Sequence, residues 1–414
     1  MTGLKRSWVA SANTAETDFP LNNLPYGVFS TNTLGARCGV AIGDQVLDMA
    51  RAEEAGLTGT QDLLQEAAWN PVMAAGPSVW SALRARLMEL LKEGAEEREK
   101  LEPLLMPIAD AQLHMPFRVA EYTDFYAGKQ HAQNVGTMFR GPENALPPNW
   151  LHIPIGYIGR ASTVVVSGTD IRRPVGQTKA KDAEAPGFGP SQRLDIELEM
   201  GAIVGTPSQM GQPVTVAEAR EMIFGYVLLN DWSARDLQAW EYQPLGPFQA
   251  KAFATSISPW IVTAEALAPF AAPTPPRDLP LLPYLQEDAP GLYDVALGVE
   301  MNGHVISRTN MRELYYSSAQ QLAHHASSGC AMRTGDLLGS GTISGQAPDS
   351  YGSLLEMSWG GQTPIRVGDE TRSFIEDGDI LTLTGHARGD GYRVGFGACS
   401  GRILPAPDFP KETI

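Results

Sequence analysis

The sequence predicts a mainly β protein built as two domains. Its 414 residues exceed one ordinary domain and, at roughly 100–200 residues per domain, suit two or three. The 42 glycines and 31 prolines break the chain into short runs, as a turn-rich β architecture requires. Apolar residues recur at helical spacing in only a few stretches. Elsewhere short apolar runs alternate with polar residues or end at turn-forming pairs.

Taken in order, residues 1–35 are rich in Asn, Thr, Pro and Gly and read as an extended arm. In residues 36–49 apolar runs flank Gly43-Asp44 and predict a hairpin. Residues 79–101 change period: Trp80, Leu83, Leu87, Leu90 and Leu91 fall at helical spacing with Arg and Glu between them. That pattern predicts an amphipathic surface helix, with the acidic run 93–100 as its solvated face. A break between Pro103 and Pro116 marks the expected boundary between domains of 1–116 and 117–414. Beyond it, Thr215 with Glu218 is a capping box. Asn310 is a second cap candidate, for a helix expected to run to Ser328 and stop at Gly329. The Pro-rich residues 268–283 read as a surface connection. Residues 374–404 alternate, turn at Asp377-Gly378 and Asp390-Gly391, and read as closing strands.

The formal net charge of −16 argues against nucleic-acid partners and anionic membrane surfaces, which attract basic patches. An acidic ligand must then be held by local Arg, Lys or Tyr groups. No run of about 18 apolar residues occurs, so no membrane span is expected. Lys5 and Arg6 are followed by no long apolar stretch, so no cleaved signal is expected either. Cys38, Cys330 and Cys399 are far apart and form no CxxC pair. They read as small buried hydrophobes in a reducing, cytoplasmic setting.

The most informative stretch is LDIELEM, residues 194–200. On a strand, Asp195, Glu197 and Glu199 share one face. Two readings follow: a solvent-facing edge strand, or carboxylates whose mutual repulsion a hard divalent cation relieves. Asp231 ends the apolar run YVLLN, and Asp124 lies among aromatics in YTDFY, where an acid needs a partner. Oxygen donors from separate segments, with no thiolate cluster and no HxxxH, favour Ca²⁺ or Mg²⁺ over Zn²⁺. Spacing alone does not bring the segments together.

His131, in GKQHAQNVG, is a candidate general base or a structural histidine; the pair His324-His325 reads as helix packing or surface. Residues 230–256 carry Asp231, Arg235, Gln238, Tyr242, Lys251 and Thr255 around Trp232 and Trp240. They read as an active-site rim or as a long surface loop. GSGTISG, residues 339–345, is a glycine-rich turn exposing Thr342, without the Lys-Ser/Thr ending of a phosphate-binding loop. Glu356 is placed on a strand, opposite in parity to Leu355, Met357 and Trp359.

The segments DFPLNNLPYGVFS, YTDFYAGKQHAQNVGTMFR, NWLHIPIGYIGRASTVVVSGT, LDIELEM, LNDWSARDLQAWEYQPLGPF, GTISG and HARGDGYRVGFG together resemble the fumarylacetoacetase (fumarylacetoacetate hydrolase) family. The resemblance covers nearly the whole chain, in order, with the N-terminal arm included. It implies a small SH3-like N-terminal barrel followed by a large catalytic β-roll, assembled as a homodimer. It implies that Asp124, Glu197, Glu199 and Asp231 bind a divalent metal, Ca²⁺ and/or Mg²⁺, with Lys251 and Thr255 lining a second cation site. His131 matches the general base, and Glu356 the acid that orients it. Arg235, Gln238 and Lys251 match the groups that stabilise an oxyanion. Tyr126, Arg140, Tyr157, Gln238, Tyr242 and Thr342 match substrate contacts. The chain departs from the family at Ile158, where His is usual, and at Ala252 and Ala254, where Ser or Gly is.

The activity so implied is hydrolysis of a small β-diketo acid, 4-fumarylacetoacetate, to fumarate and acetoacetate, the last step of tyrosine and phenylalanine catabolism. One alternative is a superfamily relative such as an acylpyruvate hydrolase or an oxaloacetate-type decarboxylase, which the long N-terminal domain disfavours. Another is a non-catalytic metal- or acid-binding β protein, in which His131 and Glu356 would be incidental.

Overall fold

The turn at Gly43, whose φ is +60°, lets Arg37–Ile42 and Gln45–Asp48 pair as the expected hairpin. A computed structural model describes residues 3–408 of the chain. In it the hairpin belongs to a five-stranded sheet in the order Leu105–Pro107, Gln45–Asp48, Arg37–Ile42, Tyr26–Ser30, Gln112–His114. The arm expected over 1–35 is therefore shorter than its composition suggests. Residues 10–13 form a 3₁₀ turn and Tyr26–Ser30 is a buried strand. The helix expected over 79–101 spans Pro77–Leu91. It stops at Lys92, which is extended, just before Gly94 with φ +78°; only Arg98–Leu101 turns again. Gly94 takes the left-handed conformation of the turn that follows without the clash a side chain would bring.

The second and largest sheet runs in the order Gly156–Ile158, Tyr122–Phe125, Leu337–Gly339, Leu198–Val204, Ile223–Asp231, Thr255–Ile257, Val164–Val166. Its central strand, Ile223–Asp231, is buried throughout. Tyr226 and Leu228 face the main core, while Val227 and Leu229 face the core shared with the N-terminal sheet and the Pro77–Leu91 helix. Each such buried aliphatic side chain stabilises the fold by about 1.5–3 kcal/mol. In the shared core Tyr26 stacks on Trp69 at 4.1 Å and leans on Phe224. A third sheet, ordered His304–Asn310, Ala296–Met301, Ile380–Arg388, Arg393–Leu404, Ile171–Arg172, closes the roll. It contains the alternating strands expected over 374–404.

The Thr215–Glu218 capping box is present and starts Val216–Met222. The second helix is displaced. Asn310 caps only a 3₁₀ turn, Met311–Glu313. The chain then extends to bury Tyr315 and Tyr316, and the helix proper, Ser318–Ala326, starts from a Ser317–Gln320 box. Gly329 follows it with φ +84°. Cys38 and Cys399 are buried, but Cys330 is exposed in the turn after that helix. No helix among the described residues is long and apolar enough to cross a membrane.

Candidate active site

Strand register assembles the acids. Asp124 lies opposite Gly339 on one side and Tyr157 on the other. Leu198 pairs with Asn230, and Asp231 with Thr255. These neighbouring strands deliver Asp124, Glu197, Glu199 and Asp231 to one place, each with a carboxylate oxygen within 4.8 Å of the others'. All four are buried, which removes the solvent-facing reading of LDIELEM. Asp195 does not join them. The strand is interrupted at Ile196-Glu197, the alternation fails there, and Asp195 turns to Arg235 instead, 2.8 Å away.

Burial pushes the Asp124 carboxyl well up, and the neighbouring Asp231 adds to it. Glu199 is raised by burial and by Asp124 and Glu197. Glu197 goes the other way: burial opposes its ionisation, but Lys251 and Arg235 outweigh it and hold the group at about 2. The Lys251 ammonium bonds to Glu197 and, at 2.8 Å, to Asp231. Tyr157 and Thr255 donate hydroxyl bonds to Asp231 at 2.8 and 3.1 Å. Lys251 thus acts as a fixed cation beside the cluster.

The donor set fits a hard divalent cation. Asp124 Oδ1 and Glu199 Oε1 are buried without a hydrogen-bond partner, a costly state that an ion relieves. A Cβ on Gly339 would stand 2.5 Å from Asp124 Oδ1 and 2.9 Å from Glu199 Oε2, so glycine keeps that space open.

His131 sits in the first turn of a helix, Lys129–Arg140, set between Gly128 and Gly141. Its Nδ1 lies 2.7 Å from Glu356 Oε2. Glu356 is not on a strand. Ser353 caps a short helix, Leu354–Met357, that carries it. Asn134, Ser344 and Ser353 each donate to the Glu356 carboxylate at 2.8 Å. Against its burial, His131 and these bonds hold Glu356 below the usual carboxylate range. An ionised Glu356 can only accept, so Nδ1 carries a proton, and in the neutral ring the lone pair is then on Nε2. Nε2 faces Glu197 at 3.9 Å.

A cavity of 630 Å³ opens over this arrangement, within the range of about 300–1,000 Å³ usual for small-molecule sites. Asp124, Tyr126, His131, Arg140, Tyr157, Glu197, Arg235, Gln238, Tyr242, Lys251 and Thr342 all line it. Glu199, Asp231, Thr255 and Glu356 stand behind them. The segment 230–256 is not a plain loop: Arg235–Glu241 and Gln249–Ala252 are helices that turn Arg235, Gln238 and Lys251 inward. Thr342 is 1% exposed rather than presented to solvent, and its hydroxyl has no partner. Arg140 is at the exposed mouth, tied to the Asn144 and Ala145 carbonyls, with Phe139 and Leu245 beside it. Ile158 points to solvent, 72% exposed, because its strand neighbour Tyr157 points inward.

Two family models divide the chain between them. "Fumarylacetoacetase N-terminal" matches residues 22–116, and "Fumarylacetoacetate (FAA) hydrolase C-terminal" matches 121–403. The chain belongs to the fumarylacetoacetate hydrolase family. Among relatives in this family, the fumarylacetoacetase of Rattus norvegicus is 49% identical, over 94% of this chain and 97% of that one. Those of Homo sapiens (48%) and Caenorhabditis elegans (49%) cover the same shares. A solved fumarylacetoacetate hydrolase from Exiguobacterium antarcticum shares the fold, with TM-score 0.54 at 18% identity over 92% of this chain and 99% of that one. A maleylpyruvate hydrolase from Sphingobium shares it with TM-score 0.52 at 16% identity over 92% and 100%.

Within the family site, three groups lay outside the sequence reading: Asn134, Ser344 and Ser353, which hold Glu356. Ser353 carried a usable signal, because Ser-Leu-Leu-Glu is itself a capping pattern. Asn134 and Ser344 gave none.

Proposed function

We propose that this protein hydrolyses the carbon–carbon bond of 4-fumarylacetoacetate, giving fumarate and acetoacetate. The observation that carries the mechanism is the buried His131–Glu356 pair, with Nε2 turned toward the carboxylate cluster inside the cavity. The full-length likeness to fumarylacetoacetases supports the choice of substrate.

In this reading His131 Nε2 takes a proton from water as the water oxygen joins the fumaryl carbonyl carbon. Glu356 fixes the tautomer and supports the imidazolium, as the acid does in a Ser-His-Asp triad. Arg235 Nη2, buried and without a partner, together with Gln238 and Lys251, receives the oxyanion. The carbon–carbon bond then breaks, its electron pair leaves with the acetoacetate fragment, and His131 returns the proton there. Tyr126, Arg140, Tyr157, Tyr242 and Thr342 hold the substrate's polar ends. Asp124, Glu197, Glu199 and Asp231 would hold Ca²⁺ or Mg²⁺, and Lys251 and Thr255 border Asp231 where the family resemblance implies a second cation. When bound, the divalent cation supplies positive charge opposite the electrons released at cleavage.

The same reading includes a homodimer, a cytoplasmic setting, and a role closing tyrosine and phenylalanine breakdown. It also includes a domain division at 116/117. The N-terminal sheet takes its last strand at Gln112–His114, and the catalytic sheet begins at Tyr122.

The test is a spectrophotometric assay on fumarylacetoacetate, with acylpyruvates for comparison. Turnover should favour fumarylacetoacetate, vanish with chelator, and return with Ca²⁺ or Mg²⁺. Full activity after exhaustive metal removal would contradict the cation's role; preference for acylpyruvates would change the substrate.

A further inference from the structure

One carboxylate of the LDIELEM row stands apart from the metal set, yet it is wholly buried and fully engaged. Asp195 Oδ1 accepts from the backbone N–H groups of Ile196 and Leu354 at 2.8 and 2.7 Å. Its Oδ2 accepts from Arg235 Nε at 2.8 Å and from the Leu355 N–H at 3.1 Å. Every partner is a donor, as an ionised carboxylate requires.

Two of these donors begin the helix that carries Glu356. That helix spans only Leu354–Met357 and is far too short to hold its own geometry. Its first two N–H groups close on Asp195, and its third closes on Ser353. Another donor is Arg235. An arginine on a long stem is useful as a transition-state donor only when already placed. Nε is pinned by Asp195, and Nη1 by Glu197 and Gln238 at 2.8 and 3.1 Å. Nη2 is thereby left as the guanidinium nitrogen without a partner.

The contacts form a closed circuit: Glu356 to His131, His131 to Glu197, Glu197 to Arg235, Arg235 to Asp195, and Asp195 back to the Glu356 helix. We propose that Asp195 is a positioning residue for the reaction, setting the Arg235 oxyanion donor and the His131–Glu356 pair in register from a single buried carboxylate. The inference rests on the hydrolase reading and on Arg235 as a donor within it.

A double-mutant cycle tests it. In Asp195→Asn an amide N–H₂ in place of Oδ2 meets Arg235 Nε and the Leu355 N–H donor against donor. The kcat of that variant should fall on the order of 100-fold, the scale of one lost oxyanion donor, with KM within a few-fold of wild type and bound Ca²⁺ or Mg²⁺ unchanged. Because Asp195 acts in part through Arg235 and in part through the Glu356 helix, adding Asp195→Asn to Arg235→Ala should cost clearly less than Asp195→Asn costs in the wild type, where independent groups would multiply. Multiplying losses, unaltered turnover in Asp195→Asn, or loss of the bound cation would overturn the assignment. If circular dichroism shows Asp195→Asn unfolded, Asp195→Ser goes through the same cycle. If that variant also fails to fold, Asp195 is a folding residue and the proposal is overturned. Absence of turnover in the wild type refutes the hydrolase reading itself, whereas an active wild type with a multiplying cycle refutes only the role of Asp195.

Discussion

Replacing Glu356 by Gln removes one charge and one acceptor while leaving the shape of the site intact. The wild-type carboxylate accepts from His131, Asn134, Ser344 and Ser353. A glutamine has one acceptor oxygen in place of two, so two outcomes bracket the effect. If its oxygen stays on His131 Nδ1 and the Asn134 amide flips to accept, only the charge assistance is lost. A charge-assisted bond and a neutral one differ by about 1–2 kcal/mol, which is roughly five- to thirtyfold in rate. If the amide nitrogen faces Nδ1, the imidazole must carry its proton on Nε2 and can no longer accept one from water. The same tautomer error in a Ser-His-Asp triad costs about 10⁴ in kcat. Three of the four bonds converge on Oε2, so the two serine hydroxyls decide which end of the amide settles there. The expected loss in kcat therefore lies between about 5-fold and 10⁴-fold. KM should be little changed, because Glu356 does not line the cavity. Initial rates across a substrate series, on protein shown folded and metal-loaded, measure both constants. A folded Glu356→Gln enzyme with kcat indistinguishable from wild type would refute the proposed pair.

Two further outcomes bear on the cation site and on stability. Gly339→Ala places a methyl group 2.5 Å from Asp124 Oδ1 and 2.9 Å from Glu199 Oε2; Ca²⁺ or Mg²⁺ titration should show clearly reduced affinity, and unaltered affinity would place the ion elsewhere. Asp379 accepts from Arg372, Asn302 and the Glu376 N–H. Burial opposes its ionisation, but these partners outweigh it and lower its pKa. A carboxylate depressed in the folded state contributes stability above its unfolded value, near 3.9, and loses it as pH falls through the folded value. Asp379→Asn should thus cost about 1–3 kcal/mol at neutral pH, and the gap to wild type should narrow below about pH 4. Denaturant midpoints at both pH values check the sign, and a gap that widens in acid would reverse it.

What could be read from the sequence was whatever local rules decide. The Gly43 hairpin, the Thr215 box and the strands around Asp390-Gly391 each follow from a few adjacent residues. The acids Asp124 and Asp231 stood out because charge among apolar residues demands a partner. Parity failed at Asp195 because the strand breaks after it and the ladder resumes only at Leu198. No local pattern announces that break. The His131 helix was invisible for a related reason. Its buried residues are His131, Ala132, Asn134 and Gly136, a polar and small set without an apolar stripe. That face packs largely against the site, and the apolar Val135 and Phe139 of the same helix line the cavity instead of filling a core.

The arrangement also explains why the site is built from so many buried charges. Asp124, Glu197, Glu199 and Asp231 sit together with Lys251, while Arg235 is divided between Glu197 and Asp195. Negative charge is in excess, and taking it out of water is costly unless it is balanced. Without an ion the protein relieves that cost by pushing Asp124 and Glu199 toward their neutral forms. A divalent cation relieves it by charge, and then both carboxylates ionise. Cation affinity should accordingly fall as protons compete for those two groups, whereas Glu197, held at about 2 by Lys251 and Arg235, remains ionised throughout. Glu197, the member of the cluster that His131 faces, is thus held ionised by Lys251 and Arg235 and needs no ion to stay so. The imidazole keeps a constant electrostatic partner while the cluster behind it loads and unloads.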